Sequence, residues 1–444
     1  MTVYIIVALV NYSVVQQIAG NIASAHFSKE WNTNVSIKSV NFNILNHITL
    51  RGIELYTPEG DSVYIGEKIT IRFDELPITS KGIKIDRVYM KNAYYCLEKY
   101  PDSLGGGINL NFIINHYKKE KDDTDSTHNR FVVSVNQLVL RNIEYQMYLP
   151  GYQDFEYKNG VNVKAMHFKN INARMRNIRV DADYVTTFIE RFSADEESGF
   201  SLENLTGYAY VSPCGISMTN MDLKTDYSHL KGNTALLYNS WDEMSDYLNT
   251  VHMLAEFKEG SYGGLKDATY WAPMLWGFDA KVDIQGNFYG TVADMHTDYV
   301  KLKIEDHTSL ALNGYIVGLP NMKETIIKGS VNELETNIHE LAKVKLPDSW
   351  PQISLPSVLQ HVKKVNLSAT FIGTIYEFYA NCYAKTNVGN IMVNADVYQN
   401  ESNNQYMYEG NIMSPRLNIA ALLPNKVVTS TGVDMIVSGE GFDF

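Results

Sequence analysis

The spacing of apolar residues changes once, shortly before residue 35. In SVVQQIAGNIASAHFSKEW, Val15, Ile18, Ile22 and Ala25 recur three or four residues apart, which places them on one face of a helix. From Val35 the period is two. VSIKSVNF, HITLRGIELYT and VYIGEKITIRFDEL set Val35 and Ile37, Ile48 and Leu50, Val63 and Ile65, then Ile69, Ile71 and Phe73 against polar neighbours. This is the pattern of antiparallel strands with one apolar face. Turns are marked near Asn46 and His47, from Pro58 to Asp61, and at Gly66. In KGIKIDRVYMKNAYYCLEKY the pattern passes through Ile83, Ile85, Val88 and Met90 with one break in phase, as a β-bulge produces.

A charged stretch from His116 to Asn129 reads as a mobile loop. Alternation resumes with Phe131, Val133 and Val135, then Leu138 and Leu140, and continues from Val161 to Val185. Residues 182–194 are expected to form a short helix, because Val185, Phe188 and Phe192 fall at helical spacing; Asp181 and Asp183 would then be caps. Helices are also expected in NSWDEMSDYLNTVHMLAEF, VNELETNIHELAKV and LPSVLQHVKKV, with LPDSWPQISLP as a proline-rich link. Strand–turn–strand units starting at Gly215, Thr297 and Asn381 suggest a diverged repeat. The expected organisation is a helical segment at 1–31, a first β segment at 32–195, and a second at 196–444 with interspersed helices and an incomplete C-terminal end.

Composition supports a β-rich chain with a real core: 45% of its 444 residues are hydrophobic, and the 30 Tyr outnumber the 17 Phe. A net charge of −12 without a sizeable basic cluster argues against a nucleic-acid partner. Cys96, Cys214 and Cys382 are far apart and form no CxxC pair, so neither a disulfide framework nor a zinc site is expected. The N-terminal MTVYIIVALV is apolar for about ten residues, half of the roughly 20 that a membrane helix needs. It reads either as a buried first element or as the tail of a membrane helix encoded further upstream.

Motifs for catalysis fail on inspection. His339-Glu340-Leu341-Ala342-Lys343 has Lys343 where a metalloprotease helix needs its second histidine. Ser228-His229-Leu230-Lys231 matches SxxK in letters but lies in an expected turn without companion motifs. Gly105 to Gly107 lack the strand–loop–helix frame of a phosphate cradle. The eleven histidines form no HxH or HxxxH pair. No catalytic, metal-binding or cofactor-binding residue is assigned, and no cofactor is expected.

The order of elements does resemble a known family. An apolar run precedes an amphipathic helix carrying Gln16 and Gln17; Val35 with Ile37, Leu50-Arg51-Gly52-Ile53-Glu54-Leu55, Gly60-Asp61-Ser62-Val63, and Ile69 with Ile71 follow. Together these resemble the N-terminal part of TamB proteins of the AsmA-like superfamily, in the form found in Bacteroides-like bacteria. ESGFSLENLTG from Glu197 and LPDSWP from Leu346 resemble that family's middle region. The resemblance departs in two places: the membrane helix is truncated or absent, and the family's C-terminal domain lies beyond the last residue.

The resemblance implies a mainly β fold with a few short helices, an elongated, curled antiparallel sheet forming an apolar groove behind an N-terminal helix. It implies anchoring in the inner membrane of a Gram-negative bacterium, with most of the chain in the periplasm. The implied partners are phospholipid acyl chains, the membrane and an outer-membrane assembly protein. The implied role is lipid transport between membranes, or assembly and secretion of outer-membrane proteins. Lipid-facing candidates, chosen for alternation, are Ile48, Leu50, Ile69, Ile71, Phe73, Val133, Val135, Leu138 and Leu140. Alternation alone also builds an ordinary sandwich, so the competing expectation is a β-rich interaction or adhesin module with a closed core; an enzyme is the third.

Overall fold

The computed structural model describes residues 13–43, 46–73, 78–79, 82–101, 103, 106–119, 132–154, 160–181, 183–272, 275–305, 308–321, 323–341, 343–345, 361–400, 405–422 and 429–441. The apolar run at 1–10, most of the charged stretch after His116, and LPDSWPQISLP lie outside them. The protein is mainly β, and it divides into two compact units. One comprises Met1–Ser212 with Asp222–Asp226, the other Pro213–Met221 with Tyr227–Phe444.

The first unit opens with helix α1 (Ser13–Trp31), followed by β1 (Val35–Asn43), β2 (His47–Tyr56), β3 (Ser62–Arg72), β4 (Ile78–Thr79) and β5 (Gly82–Glu98). β1, β2, β3 and β5 pair antiparallel in that order. Between β2 and β3 the Thr57 N–H donates to Asp61 O at 2.7 Å, and Gly60, at φ +104°, takes the backbone conformation that closes the turn without a steric penalty. α1 lies along β1. Gly20 is buried, and a Cβ there would stand 2.5 Å from Ile37 O. One and two turns further on, Ser24 and Ser28 bond the β1 backbone: Ile37 N–H donates to Ser24 Oγ at 2.7 Å and Val35 N–H to Ser28 Oγ at 2.9 Å. Ala19, Ala23, Phe27 and Trp31 pack beside Val35, Ile37, Val40 and Ile53.

Helix α2 (Asn111–Lys119) follows β5, and β6 (Val132–Tyr148) then pairs with β5 in parallel, Gly82 opposite Val132 and Glu98 opposite Tyr148. Among the registers described, this is the one parallel pair in an otherwise antiparallel sheet. Parallel neighbours need a long crossover, and the segment containing α2 supplies it. β7 (Ala165–Asp181), β8 (Tyr184–Glu196) and β9 (Ser201–Ser212) continue antiparallel. The helix expected at 182–194 is strand β8. Its register against β7 shifts three times, which erases the period of two and leaves bulky residues at helix-like spacing. Asp181 and Asp183 therefore border a strand-to-strand turn, not a helix.

β5 keeps its register with β6 on both sides of the phase break, from Ile83 to Met90, so the two strands share it. The left-handed positions lie further along, at Gly52 (φ +58°), Asn92 (+49°), Asn142 (+53°) and Asn170 (+52°). A polar ladder links this line. Asn92 Nδ2 donates to Glu67, Asn142 Nδ2 to Asn92 Oδ1 (2.8 Å), Asn172 Nδ2 to Asn170 O (2.7 Å) and Asn170 Nδ2 to Asp195 Oδ2 (2.8 Å). Each left-handed residue lets the apolar positions step by three and stay on one face: Met90 and Leu140 pack with Ala93 and Ile143.

The second unit takes β10 (Gly215–Thr225) up to Met221 and continues through β11 (His229–Leu237) and, after a 3₁₀ turn at Trp241–Asp246, α3 (Tyr247–Thr250). Then come β12 (His252–Gly264), α4 (Leu265–Trp271), β13 (Lys281–Gly290), β14 (Asp294–Ile304), β15 (Thr308–Val317), β16 (Ile326–Asn337), α5 (Ile338–Leu341), β17 (Lys364–Gly373), β18 (Glu377–Thr386), β19 (Gly389–Gln399), β20 (Tyr406–Leu417), α6 (Ile419–Leu422) and β21 (Thr431–Glu440). From β11 to β21 every strand pairs antiparallel with the next. The units expected from Gly215, Thr297 and Asn381 fall on β10 with β11, on the hairpin β14–β15 and on the hairpin β18–β19.

Two expected helices are helical only in part. NSWDEMSDYLNTVHMLAEF is helical only to Thr250 before β12, and VNELETNIHELAKV is strand β16 until Ile338. Of LPSVLQHVKKV, His361–Val365 is described, and β17 begins there at Lys364. The helices α5 and α6 are one turn each; Ile338, Ala421 and Leu422 close over Val362, Val365 and Val388 at the strand ends.

Candidate functional site

In each unit, cross-strand partners on one face line up as apolar rows. Residues directly opposite in register share a face. In the first unit one row runs Val40, Leu50, Ile69, Met90, Leu140, Ala173 and Phe192. The next runs Phe42, Ile48, Ile71, Val88, Leu138, Met175 and Ile189. Six of the nine residues chosen from alternation thus stand in two adjacent rows: Leu50, Ile69 and Leu140, and Ile48, Ile71 and Leu138. Phe73 follows β3, where its N–H donates to Asn46 O at 2.8 Å. Val133 and Val135 form a separate group, opposite Ile83 and Ile85 on one side and Val180 and Ile178 on the other.

All nine are half-buried. Ile48, Leu50 and Ile69 pack against the cluster that α1 covers. Leu140 belongs to a second cluster around Ala93, Ile143, Ile171 and Ala194, and every member of that cluster comes from β3, β5, β6, β7 or β8. These are the strands of one sheet. The largest side chains less than 2% exposed are Val63, Val161, Val251, Val300, Thr325 and Ser261. A two-layer core buries Leu, Ile and Phe to that degree. Here, among the described residues, the larger apolar side chains keep some contact with solvent.

The helical spacing of residues 182–194 hides Ile189 and Phe192 from this list, and Met175 of β7, within an alternating stretch, also stands outside it. The list also leaves out the second unit, where the rows are as long. Val300, Leu312, Val331, Ala369, Cys382, Val393, Ile412 and Met435 align across β14 to β21. Ile284, Leu302, Leu310, Leu334, Leu367, Ala384 and Ile391 form a second row. The period-two signal was there, in stretches such as NIMVNADVY. Burial pushes the Cys382 thiol above its ordinary pKa, so it remains a neutral, mildly apolar member of its row.

Polar groups with the opposite potential are structural. Ser228, of the SxxK match, donates to Asp267 and accepts the Gly264 N–H at 3.0 Å, tying β11 to α4. His339 sits in a one-turn helix, and Lys343 pairs with Glu340 at 2.8 Å. Among the described residues no group of three or more His, Cys, Asp or Glu is arranged to hold a metal ion. No described helix is long and apolar enough to cross a membrane. No protein-family model, curated protein or solved structure matches the chain.

Proposed function

We propose that the protein is a groove-type lipid conduit or assembly factor of the TamB and AsmA-like kind, whose apolar rows accommodate acyl chains while head groups stay in water. The observation that carries this reading is the pair of aligned apolar rows in each unit, most of whose members are only half-buried. Each methylene moved from water onto such a surface is worth about 0.8 kcal/mol, so a long chain gains enough without a specific polar contact. The process is passive, and no residue acts as acid or base. Anchoring at the inner membrane, a periplasmic location and an outer-membrane assembly partner belong to the same proposal.

One observation favours the competing module with a closed core: Ile48, Leu50 and Ile69 share with α1 the buried cluster of Val35, Ile37, Val40 and Ile53. The two readings part at Leu138 and Ile71. Organic extraction of the purified protein should yield phospholipid near stoichiometric amounts, and Ile71→Asp should cut that yield while the circular dichroism spectrum is preserved. A lipid-free protein, or unfolding by Ile71→Asp with no soluble folded form, would favour the packed core.

A further inference from the structure

On the opposite face of the second unit's sheet lies a cleft of about 770 Å³, walled by the connection through α3 and floored by β11 to β14. Leu254, Tyr289, His296 and Tyr315 are successive register partners, so they project together. Their neighbours on the strands, such as Met253 and Met295, belong to the apolar side. Leu254 is 44% exposed and Tyr289 36%. The Tyr289 ring lies nearly parallel to His296, with centroids 5.5 Å apart and planes at 12°, and His296 continues to Tyr315 at 5.6 Å. Asp294 fixes His296 through Nε2 at 2.8 Å, and Asp298 fixes Tyr289 by accepting from its hydroxyl at 2.9 Å. Tyr289 and His296 are therefore fixed before any ligand arrives, while Tyr315 is tilted at 44° to His296. Asn249 and Thr250 form the polar wall across from them.

We propose that this cleft binds a saccharide. A pyranose ring has an apolar C–H face that stacks on an aromatic plane and a rim of hydroxyls that needs carboxylate and amide partners. Tyr289 with Leu254 offers the plane, and Asp294 with Asn249 offers the partners. The lining has no Lys or Arg to pair with a phosphate or carboxylate ligand. The site is on the face away from the apolar rows and does not depend on what those rows bind.

The test is saturation-transfer NMR on the full chain with three disaccharides as probes: cellobiose, maltose and N,N′-diacetylchitobiose. At least one should receive saturation at its ring protons, and Tyr289→Ala should reduce that transfer five-fold or more. Asp294→Ala, at an exposed position, provides the same reading should Tyr289→Ala fold poorly. Absence of transfer to all three sugars, or equal transfer in both cleft variants, would overturn the proposal.

Discussion

Ser24 takes the place of a neighbouring strand for Ile37: its hydroxyl accepts the Ile37 N–H at 2.7 Å and donates to Gly20 O at 2.8 Å. A helix thereby covers a sheet edge whose free backbone groups would otherwise pair with another chain. Gly20→Val puts side-chain atoms where Ile37 O already stands and should cost about 1–3 kcal/mol by overpacking. Ser24→Ala should cost about 1 kcal/mol. Hydrogen exchange at the Ile37 amide should accelerate in both variants; unchanged protection would mean that α1 does not guard this edge.

Asn142 holds a left-handed conformation (φ +53°) while bonding Asn92. Asn142→Gly keeps the backbone and loses one hydrogen bond, at about 1 kcal/mol. Asn142→Val loses the bond and forces a β-branched residue into a region it avoids, adding about 1–3 kcal/mol. Urea midpoints should fall in the order wild type, glycine, valine. Equal midpoints for the two variants would show that conformation at this position carries no cost.

Tyr64 has a buried hydroxyl without a hydrogen-bond partner, and burial raises its pKa to about 12. Tyr64→Phe should be neutral or slightly stabilising near neutral pH, since no bond is lost. The raised value means that Tyr64 contributes stability fully present below about pH 10, where the unfolded phenol titrates, and lost as pH rises through its folded value. The phenylalanine variant should resist alkaline unfolding better than wild type, as followed by circular dichroism. Identical alkaline transitions would contradict this.

His167 faces a carboxylate with each ring nitrogen, Glu144 at 2.6 Å and Glu197 at 2.9 Å. The hydrogen bond from His167, aided by its charge and by Lys169, holds the Glu197 carboxyl below its usual range against a smaller opposing effect of burial. A lowered carboxyl pKa gives stability that is present above the unfolded value of about 4.3 and lost as pH falls through the folded value. His167→Gln should lower the urea midpoint at about pH 6 and make much less difference at about pH 3. A deficit that does not change with pH would assign His167 a packing role only.

Where a strand keeps its period, the sequence reads well: β1 to β3 and the pairs Ile48–Ile71 and Leu50–Ile69 follow from alternation and the Gly60 turn. It reads badly where backbone geometry absorbs the period. β8 looks helical because its bulges are invisible in the letters, and the stretch after Asn239 keeps helical spacing past Thr250 although the chain has become β12. The half-exposed character of Leu138 or Val331 is a property of what lies above the sheet, and alternation is silent on that. The cleft at Tyr289 depends on register between four strands, which no single strand encodes.

The parallel pairing of β5 with β6 carries a kinetic consequence. Elsewhere in the first unit, each strand meets a partner delivered by a short connection, so the sheet can grow by local zippering. Gly82 and Val132 meet only after a loop of about fifty residues has closed, and that entropy is lost before any rung forms. The seam between β5 and β6 thus divides the unit into two stretches able to assemble separately, and joining them sets the pace at which one continuous face appears.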